Sequence, residues 1–311
     1  MKKISIVTPC YNEIENIPEL VGRIKGAMSA QPVYDYEIII IDNFSTDGTR
    51  DLLREMASYD HRLKIILNTR NFGHIRSPYY GLLSASGDAA IYMASDLQDP
   101  PELIGTFISE WNKGYKLVLA TKPTSSENKL LHFVRKTYYR ILDKISDVPI
   151  VRDFTGFGLY DKVVLDELRK IKEPYPFLRG IICELGYSIQ TVSFNQPRRQ
   201  RGVSKNNFYT LYDIALLGIV SHSKVPIRLA SLLGFLIGLL SFIVAFVYLI
   251  LKLIFWDNLP LGIAPIIIGG SFIFGVQMFL LGILGEYVGT ILTYVQNRPI
   301  VVVEEKINFD D

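Results

Sequence analysis

Cysteine is nearly absent. Cys10 and Cys183 are the two in 311 residues. Their spacing fits neither a disulfide framework nor a metal-ligand pattern, so both are expected to be reduced. Net charge is also small, at +2, which is too little for the electrostatic footprint of a nucleic-acid binder. No nucleic-acid partner is expected. No internal repeat is visible, which argues against a repeat architecture. A secretory leader is not expected either. Lys2 and Lys3 precede only a short apolar run, broken by Tyr11, Asn12 and Glu13, which reads as a strand.

Charge is missing altogether from two long stretches. Leu229–Leu251 and Leu259–Gly285 contain no Asp, Glu, Lys or Arg. Each exceeds the roughly 20 apolar residues that cross a bilayer. Two helices with no internal charge are too few for a transport pathway. Arg198, Arg199, Arg201 and Lys205 precede the first stretch, and Lys224 and Arg228 adjoin it. By the positive-inside rule that side faces the cytoplasm, and a second crossing returns the tail there.

What remains is an alternation of strand-like and helix-like segments. Lys3–Pro9, Tyr36–Ile41, Leu63–Leu67, Ala89–Met93 and Lys116–Ala120 are β-branched or apolar runs and read as strands. Ile38–Ile41 are four consecutive isoleucines, as in a parallel strand covered on both faces. Helices are expected between them, opening near Asn12–Asn16, Ser45–Thr49, Gly73 and Pro101. Further helices are expected over 130–145 and 162–170, with a strand over 187–194. The segment 153–160 is short and contains glycine, and no element is assigned to it. Residues 206–221 read as a helix apolar on one side, lying on the membrane or packed on the α/β domain. The expected fold class is α/β with a mostly parallel sheet. In such sheets ligands bind beyond the carboxyl ends of the strands. Pro9–Glu13, Asp42–Asp47 and Asp96–Asp99 all fall at those ends.

The chain is organised around Ile91–Glu102, I-Y-M-A-S-D-L-Q-D-P-P-E. An apolar run carries it to Asp96, and a Pro-Pro pair follows Asp99. A carboxylate at the end of a buried strand is costly unless it is paired. A divalent cation holding a diphosphate would be such a partner. Asp99 also suits the cap of the helix that Pro100 and Pro101 begin, and its role stays divided between metal and cap. Asp96 lies too far back to cap that helix.

Four motifs occur in order: Thr8-Pro9-x-Tyr11-Asn12-Glu13, Asp42-Asn43-x-Ser45-Thr46-Asp47-Gly48-Thr49, Arg70-Asn71-x-Gly73 and Asp96-Leu97-Gln98-Asp99-Pro100-Pro101-Glu102. With Arg201-Gly202-x-Ser204-Lys205 and two apolar spans, the chain resembles the polyprenyl-phosphate glycosyltransferases. These are inverting GT-A enzymes of glycosyltransferase family 2, akin to dolichol-phosphate mannose synthase. The bacterial bactoprenol glucosyltransferases are the nearest branch.

The resemblance implies a cytoplasmic GT-A catalytic domain over 1–205 and an amphipathic juxtamembrane segment over 206–226. It implies membrane helices over 227–254 and 259–290 and a cytoplasmic tail over 291–311, in a bacterial inner membrane. The implied donor is a nucleotide sugar, a UDP-sugar such as UDP-glucose by preference. The implied acceptor is a polyprenyl phosphate such as undecaprenyl phosphate, and the implied ion is Mg²⁺ or Mn²⁺. Thr8, Pro9, Tyr11 and Glu13 would line the nucleoside. Asp42 would contact the base, with Asp47 nearby. Ser95 would adjoin the donor, Asp96 would bind the metal, with Asp99 as its possible second ligand, and Gln98 would face the sugar or diphosphate. Arg201 and Lys205 would meet the acceptor phosphate, though anchoring at the membrane surface also explains basic residues there. Asp153 would position that phosphate or its counter-cations, with general base as the weaker alternative. A loop Asp bonding its own backbone looks the same in sequence. The family includes oligomers up to tetramers, and Gly234, Gly238, Gly282 and Gly285 would allow close helix packing.

Three departures accompany the resemblance. Relatives often carry Asp-x-Asp where this chain has Ala94-Ser95-Asp96, and an acidic residue where Asn43 stands. Around Asp153 they often read D-x-G-D-F-R-L, whereas Gly156 and Gly158 stand here in place of the second Asp and the Arg. A transferase using a hydroxyl acceptor and a non-catalytic membrane scaffold are the competing classes.

Overall fold

A computed structural model describes residues 1–122, 151, 153–197, 225–255 and 262–309. Its contacts divide the chain into two units. One contains the α/β elements and the residues from Asn297 onward, and the other contains the two long apolar helices.

The α/β unit is one eight-stranded sheet. Its strands in chain order are β1 (Lys3–Cys10), β2 (Asp35–Asp42), β3 (Leu63–Asn68), β4 (Ala89–Tyr92), β5 (Leu117–Thr121), β6 (Phe154–Asp161), β7 (Ile189–Ser193) and β8 (Val303–Ile307). Across the sheet the order is β7-β5-β6-β4-β1-β2-β3-β8. β6 runs antiparallel between β4 and β5, and β8 runs antiparallel to β3 at the edge; the other pairings are parallel. The α/β class and mostly parallel sheet expected from the sequence are therefore observed.

Two layers of helices cover the sheet. α1 (Ile17–Ser29), α2 (Thr49–Tyr59) and α4 (Ile104–Asn112) pack on one face, through residues such as Leu20, Ile24, Leu53 and Phe107. α3 (Gly73–Leu83), α5 (Lys162–Lys170) and α6 (Leu178–Glu184) pack on the other, through Tyr79, Leu82, Leu165 and Ile182. The four isoleucines of β2 alternate between these layers, and all are fully buried. Burying each is worth about 2 kcal/mol relative to exposure. That two-sided burial is why β2 reads as an unbroken apolar run.

Three elements depart from the sequence expectation. The segment 153–160 is a full strand, β6. Gly158 of that strand sits where an added Cβ would lie 2.5 Å from the Val118 carbonyl oxygen, so the backbones of β5 and β6 approach too closely for any side chain. α6 was not anticipated. The segment 291–311, expected as a tail, contributes β8 to the eight-stranded sheet. The helices expected over 130–145 and 206–221 lie outside the described residues.

The second unit consists of α7 (Val225–Ile254) and α8 (Ile263–Val295). Val225–Tyr248 and Phe272–Val295 have mean hydropathies of 2.6 and 1.6, with none of either window buried. At 1.5 Å per residue each 24-residue window is about 36 Å long, enough to cross a hydrocarbon core of about 30 Å. Gly234 lies opposite Leu280, whose Cδ1 is 3.7 Å from the position of an added Cβ.

Candidate active site at the carboxyl ends of the strands

The parallel strands deliver their following loops to one rim of the sheet. Because β6 is antiparallel, its first residue lies at the same rim, and Lys122 donates its backbone N–H to the Asp153 carbonyl at 3.1 Å. Thr8, Pro9, Tyr11, Glu13, Asp42, Asp47, Ser95, Asp96, Gln98, Asp99 and Asp153 are thus gathered on one edge. Arg201 and Lys205 lie outside the described residues.

The β1 and β2 loops are stitched together. Asn12 donates its N–H to Ser45 Oγ at 2.8 Å, and its side-chain oxygen accepts from Thr46 N at 2.7 Å. Asp47 Oδ2 accepts from Ile14 N at 3.2 Å, and Oδ1 accepts from the hydroxyl and N–H of Thr49 at 2.6 and 3.0 Å. Burial works against the ionised Asp47, but these bonds outweigh it and hold its carboxyl below the usual range. Glu13 is buried and accepts from Asn16 Nδ2 at 2.5 Å. Thr8 is fully buried, and its hydroxyl has no hydrogen-bond partner among the described residues. Pro9 and Tyr11 are half-buried at the rim.

Asp42 is fully buried. Its Oδ1 accepts from the N–H groups of Phe44 and Ser45 at 3.1 and 3.0 Å, and its Oδ2 takes the Cys10 thiol at 3.6 Å. Burial, then the Asp42 charge, push that thiol well above its ordinary value, which keeps Cys10 an inert SH. Asn43 replaces charge with an amide latch. Its Oδ1 accepts from Phe72 N at 2.9 Å, and its Nδ2 donates to Asn71 Oδ1 at 2.9 Å and to the Gly73 carbonyl at 3.2 Å. The Arg-Asn-x-Gly motif is therefore held against the β2 loop.

The loop after β4 holds the two carboxylates in different environments. Asp96 is half-exposed, and its Oδ1 accepts from Gln98 N at 3.1 Å. Gln98 Nε2 donates to the Pro197 carbonyl at 3.1 Å. Asp99 is only 4% exposed, and its Oδ2 accepts from Ala94 N at 2.9 Å. Burial first, and the Asp96 charge after it, push Asp99 up to about 7, against the pull of the Ala94 N–H and Lys122. Pro100, not Asp99, occupies the cap of the 3-10 turn Pro101–Leu103, and no side chain caps it. Of the two roles left open for Asp99, the cap is therefore not observed, and its carboxyl braces its own loop.

Asn12, Phe44, Leu97 and Asp153 all have positive φ, at 58°, 69°, 60° and 57°. Such backbone is uncommon outside glycine and clusters where loops are held for binding. Lys122 was not singled out from the sequence. It lies at the end of β5, and its Nζ donates to Gln196 Oε1 at 2.9 Å. A lysine ending a buried strand was the available signal.

Among the described residues, no three of His, Cys, Asp or Glu converge on one point. A rim that offers Asp96 as a half-exposed carboxylate still fits Mg²⁺ or Mn²⁺, because such ions fill their shell with substrate phosphates and water. The donor there would be Asp96.

The sequence model described as Glycosyl transferase family 2 matches residues 5–169. The chain belongs to this family. Over 99% of its length the transferase is 34% identical to the glycosyltransferase YkcC of Bacillus subtilis, covering 95% of that protein. It is 32% identical to the SfII prophage-derived bactoprenol glucosyl transferase of Shigella flexneri, over 97% of this chain and 98% of that one. Among solved structures, the mannosyltransferase PcManGT from Pyrobaculum calidifontis, in complex with GDP-Man and Mn²⁺, is similar over 96% of this chain and 88% of its own. The identity is 14% and the TM-score 0.47.

Proposed function

We propose that this transferase moves a hexose, glucose foremost, from a nucleotide sugar, UDP-glucose foremost, to a polyprenyl phosphate such as undecaprenyl phosphate. The observation that carries the proposal is the likeness to bactoprenol glucosyl transferases over nearly the whole chain, two membrane-length helices included. The acceptor phosphate monoester, with a second pKa of about 6, is already nucleophilic at neutral pH. One of its oxygens attacks C1 of the sugar, the bond from C1 to the nucleoside diphosphate breaks, and the anomeric centre inverts. No strong protein base is required.

Each rim residue then has a part. The stitched loops 9–13 and 42–47 receive the nucleoside, with Pro9 and Tyr11 at the surface of the pocket. Asp42, enclosed as it is, acts on the nucleoside through the loop it holds. Asp96 holds Mg²⁺ or Mn²⁺, which supplies positive charge to the leaving diphosphate when bound. Gln98 faces the sugar or diphosphate. Asp153 positions the acceptor phosphate, and Arg201 and Lys205 supply its counter-charge.

We further propose a bacterial inner-membrane location with the catalytic unit and both termini cytoplasmic. β8 follows both apolar helices in sequence yet bonds to β3, which supports a chain that returns to the side it left. Self-association, up to a tetramer, is proposed through small residues of the helices. Among the described residues nothing lies within 4 Å of a Cβ added at Gly238, Gly282 or Gly285, which leaves room for a neighbouring helix.

The test is transfer itself. Detergent-solubilised protein is given labelled nucleotide sugars, Mg²⁺ or Mn²⁺, and undecaprenyl phosphate. Metal-dependent movement of label into the lipid is expected. No transfer from any donor, with Asp96→Ala binding nucleotide as well as the parent does, would overturn the proposal.

A further inference from the structure

The two glutamates of the last strand reach the same helix, which a regular strand would not allow. Successive side chains of a strand point to opposite faces. Glu304 nevertheless pairs with Arg50, Oε2 to Nη2 at 2.7 Å, and Glu305 pairs with Arg54, Oε2 to Nη2 at 2.9 Å. Arg50 and Arg54 are four apart on α2 and share one helix face. The reason is a register shift. Leu67 of β3 lies opposite Glu305, and Asn68 lies opposite Val303, so Glu304 is passed over. Such a bulge re-aims a side chain.

The two arginines differ in what lies beyond them. Arg54 continues to Asp51, an exposed neighbour on its own helix. Arg50 is only 15% exposed, and its Nε lies 3.9 Å from Oδ1 of the fully buried Asp42. Its guanidinium also stacks 5.4 Å from the centre of the Phe44 ring. That Nε is buried without a hydrogen-bond partner among the described residues. Asp42 and Phe44 belong to the loop assigned above to the nucleoside.

We infer that Glu304 is a positioning residue for the nucleotide-sugar pocket, acting through Arg50. The bulge of β8 aims Glu304 at one end of the Arg50 guanidinium. Its other end is thereby fixed beside Asp42 and under Phe44, and the 42–45 loop takes its binding shape. Glu305, one helical turn further along, makes a similar pair with no route to that loop. The inference rests on the assignment of this loop to the donor.

The test compares Glu304→Gln with Glu305→Gln in the full-length protein, using a panel of UDP-, GDP- and dTDP-hexoses with Mg²⁺. Donor KM and kcat are measured at saturating undecaprenyl phosphate, with nucleotide binding followed by calorimetry. Glu304→Gln is expected to raise donor KM about three- to five-fold, the range of one partly exposed ion pair, with kcat within about two-fold of the parent. Glu305→Gln should leave KM unchanged, and Glu304→Asp should recover part of the loss. An unchanged KM in Glu304→Gln, or equal shifts in both variants, would overturn the inference while the donor assignment stands. A parent protein that binds none of the panel would overturn both.

Discussion

At the scale of single residues, the site turns on two carboxylates three positions apart that are treated in opposite ways. Asp96 is half-exposed at the rim, whereas Asp99 is enclosed and pushed up to about 7. Replacing Asp96 by Asn should lower kcat by at least about 100-fold, the scale of a lost charge-stabilising contact at a leaving group. Replacing Asp99 by Asn should cost far less, within about ten-fold, because a neutral side chain can still accept from Ala94. Stability carries a matching signature. A carboxyl whose folded pKa is raised favours the native state at low pH, and that advantage is lost as pH climbs toward 7. Thermal melts of the parent should therefore fall between about pH 4 and 7 by an increment that Asp99→Asn removes.

Glu37 behaves in the reverse sense. It is 1% exposed, and Lys3, Ser5, Lys64 and Ser86 all donate to it. Burial opposes its ionisation, yet these partners hold it at about 2. Its contribution is complete above the ordinary carboxylate value and is lost as pH falls from about 4.5 toward 2. Glu37→Gln strands two lysines and should cost about 3 kcal/mol at pH 7. Urea unfolding at pH 7 and pH 3 measures both effects, and a cost that stays the same at pH 3 would count against this account.

At the scale of elements, legibility followed composition. β1 to β4 announced themselves through β-branched or apolar runs, because strands buried on both faces need apolar residues nearly throughout. β6 did not, since F-T-G-F-G-L carries two glycines in six residues. Those glycines serve tertiary packing that no local pattern encodes. Gly156 has a φ of 106° beside the Tyr92 ring, and Gly158 lies against the β5 backbone. A side chain at Gly156 would be strained by that φ, and one at Gly158 would clash with the Val118 carbonyl. Gly158→Ala should destabilise by about 1–3 kcal/mol through overpacking, measurable as a lower denaturation midpoint with the slope retained. β8 escaped for a different reason. V-E-E-K-I is mostly charged, as suits an edge strand with one side open to solvent. The motif loops were legible as a rim, but the enclosure of Asp42 was not, because a carboxylate bonded to loop N–H groups and one facing a ligand have the same sequence.

At the scale of the whole molecule, the catalytic sheet is assembled from both ends of the chain. Thr69 donates its N–H to the Val302 carbonyl at 3.1 Å, and Asn308 Nδ2 reaches the carbonyls of Ala57 and Leu63 at 2.8 and 2.9 Å. Deleting residues 297–311 would uncover these groups and the whole edge of β3. The truncated protein, extracted in the same detergent, should melt at least about 5 °C below the parent, and it should elute partly as aggregate on size exclusion.

That late closure orders events during synthesis. β8 leaves the ribosome after both apolar helices, so the sheet stays one strand short until they have been made. A chain that inserted only one of them would carry its final residues to the far side of the bilayer. β3 would then keep an unpaired edge, the kind of surface that leads to aggregation and clearance. On the proposed topology, the pairing of β8 with β3 therefore forms only in chains in which both helices cross the bilayer or neither does.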